Sequence, residues 1–577
     1  MKVLLVGTGI AAPHAQGGSR RYNLATPCLH AYIQARPELS GIEVTRFDLP
    51  FYLDAPQFSE AVVERVLDVD PDVLGLSCYA WDIQAELELA RRVRARKPGI
   101  RVVVGGPSVS YETARVLEEN PAVDVAVRGE GEEVLAALLA SDWKDLSGIP
   151  GIAWRAGDGS VREQALGPPV ADLATLRSPI LDGVLRPPKQ NLLLETSRGC
   201  VYRCKHCAWQ MHGRGLRFVS TERISAEYAW AREEGYAHAF IIDSAINNHS
   251  EWLDAVADAI HKGNPEGDVY STYFLNYRFI TPDQVRALAR IRTHEILIGL
   301  ESVNPVALRA TGRKPEVEDE FARAVDLIAE GVGPVTPNIM LGMPGDTLEG
   351  FRSTLDYIAR LAELPGPRRI RHARAHWTII PPGSRFAMDA EKFGIRYNRS
   401  GIPYVLGTST FPEDDLRRAL ELIADHPRAD LFVWEDAEPL RILGGTMPKM
   451  TMAGGGRLGA PAPERIADET VLEAIAPLSP GRPLRQPGWK VGAIEREHGF
   501  PVVVLLGPGE RNVRLQLRHG DSNPGAFART ATFDLLVDDE QTDAEAQKLL
   551  RALVDLVLEN DGDPPQEFGE RSSLRIH

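Results

Sequence analysis

Cysteine is scarce in this sequence: five cysteines occur among 577 residues, and three of them, Cys200, Cys204 and Cys207, fall within one short segment. So sparse and odd-numbered a set excludes a small scaffold held together by disulfides. It predicts reduced thiols in a cytoplasmic compartment, with metal binding as the use of the clustered three.

Positive charge and long apolar runs are also lacking. Lys and Arg total 65 against 80 for Asp and Glu, a formal net charge of −15, which disfavours nucleic acid and anionic membranes as partners. No apolar run approaches the roughly 18 residues that span a bilayer. The opening MKVLLVGTGIAAPHA is interpreted as a buried strand rather than a secretory signal, because Gly7 and Gly9 interrupt it. The composition, 44% hydrophobic and 25% charged, is typical of a globular chain, here of about three domains.

Residues 1–145 alternate apolar runs with amphipathic stretches. Strands are predicted at 2–7, 72–81, 101–106 and 123–130, and helices at 58–69 and 85–97. This βαβ series predicts a doubly wound, flavodoxin-like parallel sheet whose ligand lies at the carboxyl ends of the strands. Gly7, Ser77, Gly105 and Gly129 are expected to meet at that edge.

Three further segments follow the first domain. Residues 146–187 are rich in Pro and Gly and predict a linker. Residues 188–405 contain six strand-helix units, which predict an incomplete parallel (β/α)6 barrel. Residues 406–577 predict a small α+β domain that closes over the cavity or selects the substrate. Within it, residues 489–560 predict several antiparallel strands and a final helix at 544–559.

The three clustered cysteines have the spacing C-x3-C-x2-C and come directly after a predicted strand and an Arg198-Gly199 turn. Three thiolates on such a loop can hold three irons of a four-iron, four-sulfur cluster and leave the fourth iron open to a substrate or cofactor. The alternative is a structural zinc ion with His206 or His212 as fourth ligand, although such sites usually pair two separated ligand halves.

This cysteine spacing, after the first strand of a six-unit barrel, resembles the radical S-adenosylmethionine (SAM) superfamily. In that superfamily the open iron binds SAM, whose reductive cleavage yields a 5'-deoxyadenosyl radical. The segments IIDSAIN, LIGLES and LGMPGDT extend the resemblance along the barrel. They imply SAM contacts from Asp243, Ser244, Gly299, Glu301, Ser302, Gly342 and Pro344, with the ring of His206 shielding the cluster.

Beside such a barrel, the first domain resembles the cobalamin-binding domain of the B12-dependent radical SAM enzymes through GGPSVS and RGEGEE. The resemblance implies cobalamin contacts from Gly7, Thr8, Ser77, Tyr79, Trp81, Gly105, Gly106, Gly129 and Glu130. Methyl-shuttling relatives often ligate cobalt through D-x-H-x-x-G, of which His14 and Gly17 are present while Ala12 replaces the acid. The lower cobalt ligand is therefore either His14 or no protein residue, with Tyr79, Trp81 or Asp82 covering that face.

The resemblance implies an enzyme that uses a [4Fe-4S] cluster, SAM and cobalamin. The leading interpretation is a methyltransferase that methylates an unactivated carbon of a natural-product intermediate or peptide, using methylcobalamin, a 5'-deoxyadenosyl radical and an electron donor such as flavodoxin or ferredoxin. One alternative is a cobalamin-assisted radical rearrangement or ring closure without methyl transfer. Another, of a different class, is a non-catalytic cobalamin-binding sensor or carrier, against which the intact cysteine cluster argues.

Overall fold

The computed structural model describes residues 1–10, 22–51, 58–141, 143–188, 192–209, 215–315, 317–399 and 401–434, and after these only the backbone of strands. The chain divides into two compact units, Met1–Leu458 and Gly459–His577. Among the described residues, no helix is both long enough and apolar enough to cross a bilayer.

The first sheet begins at the amino terminus. Its strands are β1 (Lys2–Ile10), β2 (Glu43–Phe51), β3 (Val73–Ser77), β4 (Arg101–Gly105), β5 (Val125–Val127), β6 (Ile152–Arg155) and β7 (Val161–Glu163). They lie in the order β2-β1-β3-β4-β5-β6-β7, with the first five parallel and the last two antiparallel. The order 2-1-3-4-5 confirms the predicted flavodoxin-like arrangement. Two strands from the segment interpreted as a linker, β6 and β7, extend this sheet.

Helices cover both faces of the first sheet: α1 (Ala25–Gln34), α2 (Glu60–Asp68), α3 (Ile83–Arg96), α4 (Thr113–Glu119) and α5 (Glu132–Ala140). Successive side chains of β1 alternate between two separate cores, because Leu4 and Val6 join one cluster of buried residues and Val3 and Leu5 join the other. A sheet buried on both faces needs apolar residues at every position, which explains the continuous apolar runs of its strands.

The second sheet belongs to the barrel. The strands of this region are β8 (Leu192–Leu194), β9 (Ser197–Arg198), β10 (Arg217–Phe218), β11 (His238–Ile241), β12 (Tyr270–Leu275), β13 (Thr293–Glu301), β14 (Val335–Leu341), β15 (Ala373–Trp377), β16 (Arg396–Tyr397), β17 (Val405–Gly407), β18 (Phe432–Trp434), β19 (Met450–Met452) and β20 (Arg457–Leu458). The six strands β8, β11, β12, β13, β14 and β15 are parallel neighbours in that order, as predicted for a partial barrel. Strand β18 adds to β15 in parallel, so the sheet continues past residue 405.

Helices that follow the barrel strands are α6 (Thr221–Glu233), α7 (Ser250–Gly263), α8 (Pro282–Leu288), α9 (Pro305–Thr311), α10 (Glu318–Gly331), α11 (Leu348–Glu363), α12 (Arg385–Met388) and α13 (Glu413–Ala424). Side-chain caps begin several of them: Ser220 accepts a hydrogen bond from Arg223 N, and Thr347 accepts one from Gly350 N. The barrel also contacts the first domain directly. Leu193 N of β8 donates a hydrogen bond to Oη of Tyr22, which precedes α1, at 2.7 Å.

The unit Gly459–His577 contains β21 (Lys490–Glu497), β22 (Phe500–Leu506), β23 (Asn512–Arg518), β24 (Thr532–Val537) and β25 (Leu574–Ile576). Strands β21 to β24 are antiparallel neighbours, in agreement with the prediction, and β25 pairs with β24 in parallel. The helix predicted at 544–559 lies outside the described residues.

Candidate active site

The cysteine loop connects β9 to β10, which pair as an antiparallel ribbon. None of the three cysteines forms a disulfide in the described part of the chain, and all three are partly exposed. Within the loop, Cys207 N donates to Cys204 O at 3.1 Å, and Trp209 N donates to Cys207 Sγ at 3.4 Å. No three His, Cys, Asp or Glu side chains in the described part of the chain converge on a single point. A cluster does not need such convergence, since each thiolate binds a different iron. Three thiols on one loop therefore fit the donor set of a cluster.

Backbone contacts fasten the cysteine loop to the barrel. Lys205 N donates to Thr311 O at 3.1 Å, and Phe386 N donates to Lys205 O at 3.0 Å. These bonds fix the middle of the loop against the end of α9 and the start of α12. The loop is thus held at the carboxyl ends of the barrel strands, where parallel α/β barrels bind their ligands.

Gly199 sets the turn into the cysteine loop, and its replacement gives a testable prediction. Its φ is +102°, and a Cβ there would overlap the carbonyl oxygen of Gly215. We expect Gly199→Ala to lower the free energy of unfolding by about 3 kcal/mol, through strain and displacement of the ribbon, and to reduce iron loading. Denaturant unfolding and iron analysis measure both effects.

Gly235→Ala is the matched control for Gly199→Ala. Gly235 also has a positive φ, +74°, but a Cβ there meets no atom within 4 Å. Only backbone strain is added, so the expected cost is about 1 kcal/mol with full iron loading. Equal effects of the two substitutions would contradict a special role for the Gly199 turn.

Asp243 and Ser244, predicted to contact SAM, lie at the end of β11 and hold the base of the cysteine loop. Asp243 is buried and accepts hydrogen bonds from Thr196 N at 2.8 Å, Thr196 Oγ1 at 2.6 Å and Ser197 Oγ at 2.6 Å. Burial raises the pKa of Asp243, although these bonds oppose the shift. Ser244 Oγ donates to Gly199 O at 2.7 Å. Both side chains therefore position the ribbon in this structure, and their contact with SAM stays a prediction.

Glu301 occupies an unusual backbone conformation beside the cysteine loop. Its φ is +66°, at an irregularity in the pairing of β13 with β14. Such a bulge re-aims a side chain, and the Glu301 carboxylate accepts from Arg313 Nη2 at 2.7 Å. Arg313 Nη2 also lies 4.0 Å from Cys204 Sγ. Gly299 leaves room for this arrangement, since a Cβ there would lie 2.5 Å from Glu301 Oε1.

His206 packs next to this pair. Its Nε2 is 3.9 Å from Glu301 Oε1, and its Nδ1 has no hydrogen-bond partner among the described residues. Burial lowers the pKa of His206 to about 4, so the ring is neutral. A neutral, buried ring is consistent with the predicted shielding role.

The ends of β13 and β14 are tied together by a buried carboxylate. Asp346 accepts from Ser302 Oγ at 3.0 Å and from Asn304 Nδ2 at 2.9 Å. Gly342, with φ +83°, and the buried Pro344 shape the turn that leads to Asp346. Ser302, Gly342 and Pro344 thus adjoin one turn, while their contact with SAM remains a prediction.

The predicted cobalamin edge is assembled by strand register. Gly7 pairs with Ser77 across β1 and β3, and Ser77 pairs with Gly105 across β3 and β4. Gly106, with φ +108°, and Gly129, with φ +89°, continue the same edge. The glycines let neighbouring protein groups approach this edge closely, since a Cβ on Gly7 would lie 2.8 Å from Asn23 Cγ and one on Gly106 would lie 2.5 Å from Cys78 O. The contact of this edge with cobalamin remains a prediction.

Tyr79 and Trp81 follow β3 at this edge and stack on each other, with ring centroids 4.6 Å apart. Thr8 Oγ1 donates to Asp82, and Tyr79 N donates to Asp82 at 2.6 Å. Burial raises the pKa of Asp82 to about 7. His14 lies outside the described residues.

Glu130 is the one predicted cobalamin residue that the structure turns towards the barrel. It accepts from Arg217 Nη2 at 2.6 Å and from Arg217 Nη1 at 2.8 Å. Burial alone would raise the pKa of Glu130, but Arg217 and Arg198 hold it below the usual range. Its contact with cobalamin remains a prediction, although both carboxylate oxygens already have protein partners.

Four residues of the site were missed by the sequence analysis: Glu132, Arg198 as an ion-pair partner, Arg217 and Arg313. Arg198 precedes the cysteine motif, so its position was a usable signal. Glu132 lies within the RGEGEE segment, so its position was a usable signal too. Arg217 and Arg313 follow no local pattern, because their partners are distant in sequence.

Comparison with known families agrees with this geometry. The B12-binding domain family matches residues 27–139, and the Radical SAM superfamily matches residues 194–358. A cobalamin-binding domain followed by a radical SAM barrel defines one class of enzyme. The chain combines a B12-binding domain with a Radical SAM domain, as the cobalamin-dependent radical SAM enzymes do, and these two domains imply cobalamin, a [4Fe-4S] cluster and SAM as cofactors.

The relatives of similar sequence include methyltransferases and a cyclase. The cobalamin-dependent radical SAM methyltransferase TokK of Streptomyces tokunonensis is 30% identical over 52% of this chain and 46% of its own length. The 2-(S-pantetheinyl)-carbapenam-3-carboxylate methyltransferase of Streptantibioticus cattleyicolor is 29% identical over the same shares. The anaerobic magnesium-protoporphyrin IX monomethyl ester cyclase of Synechocystis is 26% identical over 56% of this chain and 66% of its own. The chain therefore spans about half the length of the first two relatives.

A solved structure supports the fold. The radical SAM methyltransferase TsrM of Kitasatospora setae, with tryptophan substrate and a SAM analogue bound, superposes with a TM-score of 0.58 at 18% identity. The match covers 75% of this chain and 90% of that one. At this identity the match supports the fold alone.

Proposed function

We propose that this chain is a methyltransferase that methylates an unactivated carbon of a natural-product intermediate or peptide. One observation carries the proposal: Arg198 and Arg217, which flank the cysteine loop, bind Glu130 and Glu132 at the carboxyl edge of the first sheet. The two predicted cofactor sites therefore adjoin each other. Relatives that are methyltransferases support the same chemistry.

When bound, the cluster supplies the electron that cleaves SAM, and cobalamin supplies the carrier of a methyl group. Cys200, Cys204 and Cys207 would hold the cluster, and Glu301 would orient SAM. The small residues Gly7, Ser77 and Gly105 seat the corrin. An external one-electron donor such as flavodoxin or ferredoxin completes the reaction.

The test uses protein reconstituted without oxygen with iron, sulfide and cobalamin. SAM bearing a deuterated methyl group and a strong reductant are added with a panel of candidate acceptors, beginning with carbapenam thioethers. We expect S-adenosylhomocysteine, 5'-deoxyadenosine and a deuterium-labelled product, all measured by mass spectrometry. If iron is bound but neither nucleoside product forms, the chain is a non-catalytic cobalamin carrier or sensor.

Ring closure is the second candidate, and the cyclase relatives favour it. Both reactions begin with the same radical, so cofactor contacts do not separate them. Methyl transfer consumes a second SAM and releases S-adenosylhomocysteine, whereas ring closure does not. Production of 5'-deoxyadenosine alone in the presence of a converted substrate would replace the methyltransferase proposal by this one.

Removal of residues 459–577 tests the proposed role of the C-terminal domain. We expect the remaining chain to bind the cluster and cobalamin and to lose substrate turnover, because the proposed cofactor residues all precede residue 345. Iron analysis, the cobalamin absorption spectrum and product analysis measure the three properties. Unchanged turnover would refute substrate selection or closure by this domain.

The cut must follow Leu458 and not residue 410. A cut at 410 removes α13, whose Leu416 and Leu420 are buried, and β18, whose Trp434 is buried in the barrel core. A chain ending at 410 is therefore expected to unfold, which serves as the contrasting control.

A further inference from the structure

The two stems of the cysteine loop each carry an arginine at the same level. In the ribbon, Arg217 of β10 pairs with Arg198 of β9, and Phe218 pairs with Ser197. Residues 199–216, between these stems, include all three cysteines. Any shift of the ribbon therefore shifts the cluster loop.

Both arginines bind carboxylates of the first domain. Arg217 forms a bidentate pair with Glu130, at 2.6 and 2.8 Å, and Arg198 Nη2 lies 2.8 Å from Glu132 Oε1. The side chains are largely buried, with exposed fractions of 14% and 11% for Arg217 and Glu130 and of 15% and 6% for Arg198 and Glu132. We name Glu130, Glu132, Arg198 and Arg217 the interdomain clamp.

Backbone groups add to the clamp. Val170 N donates to Glu130 Oε2 at 2.7 Å, and Arg217 Nη1 donates to Val170 O at 2.6 Å. The segment between the two domains is thereby drawn into the same contact. Glu195 of the barrel also pairs with Arg198, at 2.9 Å, so each arginine is held from more than one direction.

Stability alone is a weak explanation for the interdomain clamp. Buried ion pairs lose solvation that their attraction repays only with good geometry, and apolar substitutes are often as stable. Bidentate arginine–carboxylate pairs do fix one relative orientation of their partners. Glu130 and Glu132 follow β5 at the edge where Gly7, Ser77 and Gly105 lie. The clamp thus joins the proposed cobalamin edge to the cysteine loop.

We infer that the interdomain clamp positions the cluster loop relative to the cobalamin edge, so that SAM and cobalamin meet at reacting distance. The inference rests on the proposed function. The clamp residues are positioning residues, since they act through the cysteine loop. Asp243 and Ser244 hold the same ribbon from the barrel side, so loss of the clamp leaves the loop attached to the barrel.

The experiment compares wild-type full-length protein with Glu132→Gln/Arg217→Gln, which removes one partner of each ion pair and leaves Glu130 unchanged, after reconstitution with cluster and cobalamin. Iron content, cobalamin content and 5'-deoxyadenosine formation are expected to persist. Formation of S-adenosylhomocysteine is expected to fall by about 10- to 100-fold, since displacement by about 1 Å has effects of that size. The magnetic interaction between cob(II)alamin and the reduced cluster, seen by electron paramagnetic resonance, is expected to weaken.

Glu133→Gln is the matched control, because Glu133 is an exposed neighbour on α5 that makes no ion pair with the described residues. It should behave as wild type in every measurement. If the double variant keeps both the wild-type rate of S-adenosylhomocysteine formation and the wild-type magnetic interaction, the clamp does not position the loop. If iron is lost together with the rate, the residues support folding of the loop and the inference fails.

Two further arms keep the result decisive. If the double variant does not fold, Glu132→Gln alone, which leaves the Glu130–Arg217 pair intact, is measured in the same way. A loss of about 10-fold supports the inference, and a wild-type rate overturns it. If wild-type protein forms no S-adenosylhomocysteine, the proposed function fails, while the magnetic interaction still tests the clamp.

Discussion

Cys204→Ala protein is expected to lose both the absorption of the iron–sulfur cluster and the cleavage of SAM while it still binds cobalamin. Cys204 lies on the loop at the mouth of the barrel, whereas the proposed cobalamin residues lie on strands β1, β3 and β4 and the turns after β3, β4 and β5. Removing a cluster ligand should reduce 5'-deoxyadenosine formation by more than about 100-fold, the largest effect typical of a residue that only supports a metal ligand. Absorption spectra, iron analysis and mass spectrometry measure the three properties.

Cys28→Ala is the control for loss of a thiol. Cys28 lies on α1, outside the cysteine loop, and alanine is a good helix former. This variant should retain the cluster and SAM cleavage. Radical formation by Cys204→Ala at the rate of Cys28→Ala would remove the basis of the cluster assignment.

Continuous apolar runs predicted most strands of both sheets, because parallel strands that are buried on both faces are apolar at nearly every position. Strand β2 (Glu43–Phe51) was missed, and its place explains why. It is the edge strand of the first sheet, and Glu43, Thr45 and Asp48 interrupt its apolar residues. Helix α1 was also missed. Its sequence, ATPCLHAYIQ, has a proline as its third residue and shows little amphipathic pattern.

Short elements within the Pro- and Gly-rich segment were beyond sequence patterns. Strands β6 and β7 contain four and three residues, and their strand conformation depends on the edge that β5 offers. A run this short carries no periodicity of its own. The pairing of β6 with β5 and of β7 with β6 is what makes residues 152–163 part of the first sheet.

The motifs predicted the residues of the candidate site but not the hydrogen bonds and ion pairs among them. Strand ends and glycines brought Asp243 and Glu130 to the correct edges, because the carboxyl ends of parallel strands meet. The partners of Asp243 are Thr196 and Ser197, and the partner of Glu130 is Arg217. These partners were unpredictable, since a hydrogen bond or ion pair between side chains distant in sequence leaves no local pattern. The same reason hid Arg313, which binds Glu301 from the turn after α9.

Arg313→Met is expected to lower the free energy of unfolding by about 3–5 kcal/mol, because it leaves the Glu301 carboxylate buried and unpaired. The exposed fractions of the two side chains are 17% and 9%, and Arg313 Nη1 also donates to Gly299 O at 2.8 Å. Without the arginine, nothing offsets the backbone strain of Glu301 at φ +66°. Denaturant unfolding of the protein without cofactors measures the change.

Arg309→Met is the control. Arg309 is an exposed arginine of α9 without an ion pair among the described residues, so this substitution should change the free energy of unfolding by no more than about 0.5 kcal/mol. The double variant Glu301→Gln/Arg313→Met removes both charges. Since the neutral amide is less costly to bury than an unpaired carboxylate, this variant should recover much of the stability lost by Arg313→Met. If the double variant is instead less stable than Arg313→Met by the full effect of Glu301→Gln, the two side chains act independently. The ion pair would then not be what holds Glu301 beside the cysteine loop.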